Sequence, residues 1–520
     1  MKHVCIFILI SFFLMSCGQS KVNFEVFTSQ KIVPVLIGKD HNVVLQIRIH
    51  IEENKEVALQ RLNFSTKGST DWQDIESASV FYTGQSDVFR DSVLFGHVQP
   101  CASAYVFKAT QTLQSGDNYF WVSIKLKPET NILHKIGFTC SKVTVNHASR
   151  VPDPLTSSTL RIGSALRNKG DDGSAAYRIP GLITTAKGTL VAVYDIRWRN
   201  SRDLQDDIDI GASRSLDKGQ TWLPMQKVID MGEWGGLPQN QNGIGDPCIL
   251  LDEQTGRLWV AALWAHGGEP GVHYWSNISG PGMTPAETGQ FILAYSDDDG
   301  TTWSAPINIT PQVKKPEWNI CLQGPGMGIT LKDGTLVFPA QFKDKDNMPF
   351  STIIFSKDRG QSWQTGTGAR SNTTEAQVVE LEPGVLMLNM RDNRGGSRAV
   401  SITRDMGQTW EEHPSSRSAL REPVCMASLI KVEASRNSLG KDILLFSNPD
   451  SEKGRNNMTI KTSLDGGLTW PKQYHLLLDE GNGWGYSCLT MIDTATVGIF
   501  YEGSGSHICF QAIPLAEIIQ

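Results

Sequence analysis

Several features that would assign a function at once are missing from these 520 residues. No glycine-rich phosphate loop follows a strand pattern, and no His, Cys and Asp cluster has metal-ligand spacing, so no cofactor and no metal is implied. No basic block occurs and the net charge is −6, which argues against nucleic acid or an anionic membrane surface as the partner. No apolar run reaches the roughly 18 residues that a membrane-spanning helix needs. The nine cysteines have no paired short spacings. Cys5 and Cys17 fall in the N-terminal run, and the seven that remain are an odd number that cannot all pair internally. Buried free thiols are the expected state of most of them, with a Cys101–Cys140 bridge left open. What the chain has in quantity is glycine, 48 residues, and tryptophan, 14.

The N-terminus reads as an address. Lys2 and His3 precede an almost wholly apolar run from Val4 to Met15, which fits the h-region of a signal peptide. The run closes in Leu14-Met15-Ser16-Cys17-Gly18, which resembles a bacterial lipobox. That resemblance implies a signal over residues 1–17 with Cys17 acylated; the competing reading is ordinary cleavage with Cys17 incidental. Both predict export, to the periplasm, the outer membrane, the cell surface or the medium.

Residues 19–150 differ in pattern from the rest of the chain. Val43 to Ile49 and Tyr119 to Leu126 alternate apolar and polar residues, the two-residue period of half-buried strands. With turn-rich stretches between them, this predicts an accessory β-sandwich. Carbohydrate binding competes there with a purely structural role, and the pattern does not tell whether Trp72 or Tyr82 is an exposed aromatic or a core one. Pro152 and Pro154 mark a linker, and a second domain is expected over residues 151–520.

That second region repeats itself. Ser/Thr-x-Asp-x-Gly-x-Ser/Thr-Trp recurs at Ser215–Trp222, Ser296–Trp303, Ser356–Trp363, Thr403–Trp410 and Ser463–Trp470. The tryptophans are 81, 60, 47 and 60 residues apart, room for about four short strands each. In each copy the Asp carboxylate can accept local N–H groups, Gly can take positive φ, and the indole offers an apolar wedge. The motif matches the Asp-box of β-propellers, which speaks strongly for fold and weakly for function; its aspartates are read as structural.

Four further segments carry chemistry. Ala176-Tyr177-Arg178-Ile179-Pro180-Gly181 comes first. Tyr194-Asp195-Ile196-Arg197 then leads to Asp203, 25 residues beyond Arg178. Asp206, Asp207 and Asp209 compete with Asp203, but Asp207 and Asp209 read as strand positions, whereas Asp203 reads as loop-borne. Glu375 stands 16 residues ahead of Arg391, separated by a hairpin that turns at Glu382-Pro383-Gly384, so the two can share one rim. Finally Arg455 follows Ser447-Asn448-Pro449, and Gly485-Tyr486-Ser487-Cys488-Leu489 precedes Gly498-Ile499-Phe500-Tyr501-Glu502. Tyr501 reads as core.

Three arginines, an aspartate, a glutamate and a tyrosine in this order resemble the catalytic set of bacterial sialidases with Asp-box repeats, over residues 155–520. The resemblance implies an all-β fold, a six-bladed β-propeller preceded by the sandwich, although only five boxes are readable. It implies an exo-α-sialidase acting on sialylated glycans, with no nucleic-acid partner, membrane contact only through the lipid anchor, and a monomeric chain. Arg178, Arg391 and Arg455 would bind the substrate carboxylate through bidentate, charge-assisted bonds that lysine cannot reproduce. Tyr486 would be the nucleophile, a neutral phenol being less repelled than a carboxylate by an anionic sugar, with Glu375 as its base. Asp203 would be the acid/base, a role that needs a carboxyl holding its proton near neutral pH. Arg197 and Asp246 are candidates for the polar edge of the sugar, against a salt bridge and a turn cap. Trp264 to Trp275, with His266, Gly267, Gly268 and His273, is a candidate aglycone wall. A non-catalytic glycan-binding propeller and an intramolecular trans-sialidase are the alternatives.

Overall fold

A computed structural model describes residues 23–52, 57–99, 102–155, 158–204, 206–265, 275 and 279–519. Residues 1–17 with Cys17, and also Cys101, His266, Gly267, Gly268 and His273, lie outside the described residues. The chain is all-β. No helix among the described residues is long and apolar enough to cross a membrane.

Residues 24–150 build two antiparallel sheets. The strand Asn42–Ile51 pairs with Gly116–Leu126, setting Ile47 opposite Phe120 and Arg48 opposite Tyr119. The period-two pattern therefore separates a buried face from an exposed one, and Ile47, Ile49, Phe64, Phe107, Phe120 and Phe138 fill the space between the sheets. Tyr82 belongs to this core rather than to the surface: it is buried, and its hydroxyl donates to Asn118 Oδ1 at 2.8 Å. Trp72 is exposed. Cys140 is a buried free thiol, as are Cys248, Cys321, Cys425, Cys488 and Cys509.

The described residues of the remainder form six blades. Blade one runs Ala176–Thr184, Leu190–Arg197, Ile208–Ser215 and Gln226–Ile229 from the inside outward. Blades four and five begin with Thr373–Glu382 and Ser428–Val432. The second strand of blade one is covered on both faces, which is why Leu190 to Ile196 reads as nearly continuous apolar sequence. Asp209 lies within a strand, but Asp207 immediately precedes it, one residue short of the strand expected for it. Blade six takes Ser487–Asp493, Thr496–Tyr501 and Ile508–Pro514 from the end of the chain and Thr159–Arg167 from the start of the propeller.

This closure explains the five boxes. Each box is the turn from the third to the fourth strand of its blade, and in blade six those two strands are not consecutive in sequence. At the first box Ser215 Oγ donates to Asp217 Oδ1 at 2.8 Å, and Asp217 accepts from Thr221 N at 2.9 Å and Thr221 Oγ1 at 2.6 Å. Gly219 has φ +90°, and Lys218 before it is also left-handed at +63°. The indoles wedge between blades: Trp222 packs on Phe500 and Phe510 of blade six, and Trp363 on Trp259 of blade two.

Candidate active site

In an antiparallel blade, the start of the inner strand, the end of the second and the second-to-third loop all lie on one rim. Arg178, Asp246 and Glu375 stand near inner-strand starts, and Tyr486 directly precedes one. Arg197 and Arg391 stand at or next to second-strand ends, while Asp203 and Arg455 occupy second-to-third loops. All eight residues singled out by sequence therefore share a rim. The Asp-box turns fall on the opposite one, which separates their aspartates from this chemistry.

At the centre, the Tyr486 hydroxyl donates to Glu375 Oε1. Arg391 Nη1 donates to Glu375 Oε2 at 2.6 Å and to the Tyr486 oxygen at 3.0 Å. The hairpin that turns at Glu382–Val385 brings Glu375 and Arg391 together, with Thr373 opposite Asp392 and Ala376 opposite Met390. Arg178 lies with its guanidinium carbon 4.6 Å from the Trp484 ring centre and 5.8 Å from that of Tyr486. Arg455 sits 5.5 Å from the Tyr486 ring and donates to Trp484 O at 2.8 Å. Three guanidiniums thus surround one phenol. Arg391 Nε is buried and has no protein partner among the described residues.

Electrostatics keep the phenol neutral at rest. Burial raises the Tyr486 pKa well above its ordinary value and the Glu375 carboxylate adds to this, with Arg391 and Arg455 opposing. Burial alone would lower the Arg391 pKa, but Glu375 and Tyr486 hold it well above the usual value.

A second cluster surrounds Arg197, whose side chain is 1% exposed. Its Nη2 donates to Asp195 Oδ2 at 2.8 Å and its Nη1 to Ser201 O at 2.9 Å, with Asp203 Oδ1 2.7 Å from the same nitrogen. Arg197 thus makes the ion pairs that its structural alternative expects, to Asp195 and Asp203. Asp246 is not a simple turn cap: it sits in a strand bulge at φ +61°, and its N–H donates to Asp195 Oδ1 at 2.9 Å. Burial, then Asp195, Asp203 and Glu375, push the Asp246 pKa well up. Burial takes Asp195 up to about 6 against the pull of Arg197. Asp203 itself is loop-borne as expected, with a side chain 55% exposed. Its competitors are engaged elsewhere. Asp206 accepts from Arg199 and Asn200, while Asp209 accepts from Trp198 at 2.9 Å and pairs with Lys227 at 2.8 Å.

Two groups escaped the sequence reading. Glu502, fully buried, accepts from Arg178 Nε at 2.5 Å and from the backbone N–H groups of Ile179 and Tyr486 at 2.9 and 3.0 Å. Ile179, β-branched, is held at φ +61°, a strained conformation of the kind stored at functional sites. The available signal for Glu502 was an acid directly after an apolar strand, facing a glycine-rich loop. Trp264 does not line an aglycone wall: it is fully buried, with its indole N–H donating to Asn242 and its ring edge-on to Trp234. Among the described residues no group of three or more His, Cys, Asp or Glu side chains could hold a metal. A cavity of about 780 Å³ opens on the Asp-box rim, but its charges are matched, with Arg436–Glu253 at 3.0 Å and Lys332–Glu433 at 2.7 Å.

A phenol bonded to a carboxylate and ringed by three guanidiniums, at the mouth of a β-propeller, is the site of a glycosidase for an anionic sugar. A model of the BNR repeat-like domain matches residues 179–472, and one of the N-terminal domain of BNR-repeat neuraminidase matches 23–149. A sialidase of Bacteroides fragilis is 47% identical over 99% of both chains. A sialidase of Clostridium perfringens is 32% identical over 69% of this chain and 92% of its own. The solved structure of the Hadza microbial sialidase Hz136 superposes with a TM-score of 0.89 at 50% identity, over 95% of this chain and all of the other. The chain belongs to the BNR-repeat sialidases, and its activity is that of an exo-sialidase.

Proposed function

We propose that this sialidase cleaves terminal α-linked sialic acid from glycoproteins, glycolipids and oligosaccharides with Tyr486 as nucleophile, Glu375 as its base and Asp203 as acid/base. The observation that carries the reading is the buried Tyr486–Glu375 hydrogen bond, bridged by Arg391. Arg178, Arg391 and Arg455 hold the substrate carboxylate. Glu375 takes the phenol proton as Tyr486 Oη bonds the anomeric carbon, while Asp203 gives its proton to the departing glycosidic oxygen. The ionised Asp203 then deprotonates the attacking water, and the proton on Glu375 returns to Tyr486 as the sugar leaves. Two displacements on opposite faces give retention. Arg197 and Asp246, with Asp195, fix Asp203 and the polar edge of the sugar.

The test is release of the fluorophore from an α-sialoside by the wild type beside Tyr486→Phe. A fall of roughly a thousandfold or more in kcat is expected when the attacking atom is removed. Activity that survives the substitution sinks the nucleophile assignment, and a 2,7-anhydro product in place of free sialic acid redirects the acceptor from water to the sugar itself. The Leu14–Gly18 sequence further supports export as a lipoprotein with Cys17 acylated, with the chain read as a monomer whose membrane contact is the acyl chain alone. Loss of fatty-acid labelling in Cys17→Ser is the expected outcome, and labelling that persists would rule it out.

A further inference from the structure

The segment joining the first two long strands of the sandwich, residues 30–41, leaves that domain. Its Val35–Ile37 stretch adds to blade six, parallel to residues Ile162 to Ser164. The buried Asn42 fixes its shape, accepting from Leu36 N at 2.8 Å and donating to Leu36 O at 3.0 Å. Upstream, Ile32 and Glu480 bond reciprocally: Glu480 N donates to Ile32 O at 2.8 Å, and Ile32 N donates to Glu480 Oε2 at 2.9 Å. Downstream, Lys39 Nζ donates to Gly505 O at 2.7 Å. The segment is therefore pinned at both ends to two propeller loops.

Those loops carry the reacting group and its anchor. One is Gly481-Asn482-Gly483-Trp484-Gly485-Tyr486; the other is Glu502-Gly503-Ser504-Gly505. Buried Asp479 staples them, accepting from Gly481 N at 2.8 Å, Ser504 N at 2.8 Å and Ser504 Oγ at 2.7 Å. The glycines leave no slack. A Cβ on Gly481 would fall 2.2 Å from Ser504 Cβ, one on Gly483 2.5 Å from Glu502 O, and one on Gly505 2.8 Å from Leu36 Cδ1. Leu36 of the strap packs on Gly505, the Ser504 side chain on Gly481 and the Glu502 carbonyl on Gly483, and Glu502 holds Tyr486 N and Arg178 directly.

We infer that the strap from Ile32 to Lys39 positions the reaction centre: Lys39 and Glu480 clamp the loops that set the Tyr486 phenol and its Glu502 anchor, so the N-terminal domain acts on the chemical step. This rests on the reading of Tyr486 as nucleophile. Glycine-rich loops have no side chains to limit their excursions, and a displacement of about 1 Å at a reacting atom can cost on the order of a hundredfold in rate. The ends of the strap add a second restraint to the Asp479 staple.

The experiment compares full-length wild type with Lys39→Met, Lys39→Arg and Glu480→Ala, measuring kcat and KM on an aryl α-sialoside together with the unfolding midpoint. Expected are a fall in kcat of roughly tenfold in Lys39→Met and in Glu480→Ala, with KM within about twofold, and recovery of most of the rate in Lys39→Arg. A merely structural strap would lower the midpoint and leave kcat per folded molecule untouched. Folded Lys39→Met and Glu480→Ala proteins with the wild-type kcat overturn the inference. The Tyr486→Phe comparison reports on the nucleophile separately, so the two failures are told apart.

Discussion

Replacing Glu502 by alanine should cost about 3–5 kcal/mol of folding stability and most of the activity. The carboxylate is 0% exposed and serves donors from two blades: Arg178 Nε at 2.5 Å and Nη2 at 3.5 Å, with the Ile179 and Tyr486 N–H groups at 2.9 and 3.0 Å. Removing one member of a buried ion pair costs about 3–5 kcal/mol, because the charge left behind has neither water nor a partner. The two backbone donors would each add about 1–3 kcal/mol if fully orphaned. Truncation opens room for water to reach them, so the ion-pair figure stands for the whole. Glu502→Gln keeps the shape and one acceptor but sets an NH2 group against a donor, and should cost roughly 2–3 kcal/mol. Urea unfolding followed by tryptophan fluorescence measures both, and kcat/KM on an α-sialoside should fall at least about a hundredfold as Arg178 and Tyr486 lose their shared anchor. A loss below about 1 kcal/mol in the alanine variant, or normal kcat/KM in a destabilised one, would refute this account.

Asp195 should make the enzyme less stable as pH rises. Its carboxyl is held up to about 6 by burial, so the folded state binds a proton that the unfolded chain, near 3.9, has released. Stability from this group is complete below about pH 4 and lost as pH climbs through about 6. Asp195→Asn should flatten that slope in unfolding measurements across the window, and an unchanged slope counts against the raised carboxyl. Asp217→Ala should remove the acceptor of the first box, which takes Ser215 Oγ, Thr221 N and Thr221 Oγ1. A loss of about 1–2 kcal/mol with unchanged kcat is expected, and a kcat defect would contradict a purely structural box.

The parts of the molecule written locally in the sequence could be read from it. An Asp-box needs only eight consecutive residues, and Glu375 and Arg391 are related by a single hairpin whose turn is spelled out. Tyr82 stayed open between core and surface because an aromatic in a half-buried strand gives no sign of which face it takes; its partner Asn118 lies 36 residues on. Arg197 was ambiguous for a similar reason, although Asp195, a charge inside the otherwise apolar Leu190 to Ile196, already demanded a partner. Glu502 was missed because its partner Arg178 is 324 residues away, and an acid directly after an apolar strand does not by itself tell whether it faces solvent or a guanidinium.

That long-range pair also ties catalysis to closure of the propeller. Arg178 belongs to blade one, whereas Glu502 and Tyr486 flank strands of blade six, the blade completed by Thr159–Arg167 from the other end of the domain. Blade six has no box because its third and fourth strands are not joined by a turn. It is held instead by the ladder in which Ser164 pairs with Phe510 and Ala165 with Cys509, by Trp222 wedged on Phe500 and Phe510, and by the parallel strand lent by the sandwich. Until that blade shuts, Arg178 lacks its counter-charge and Tyr486 its backbone anchor. The ring therefore assembles the Tyr486 site with its last seam, and any change that loosens the seam should be felt in the reaction before it is felt in the other five blades.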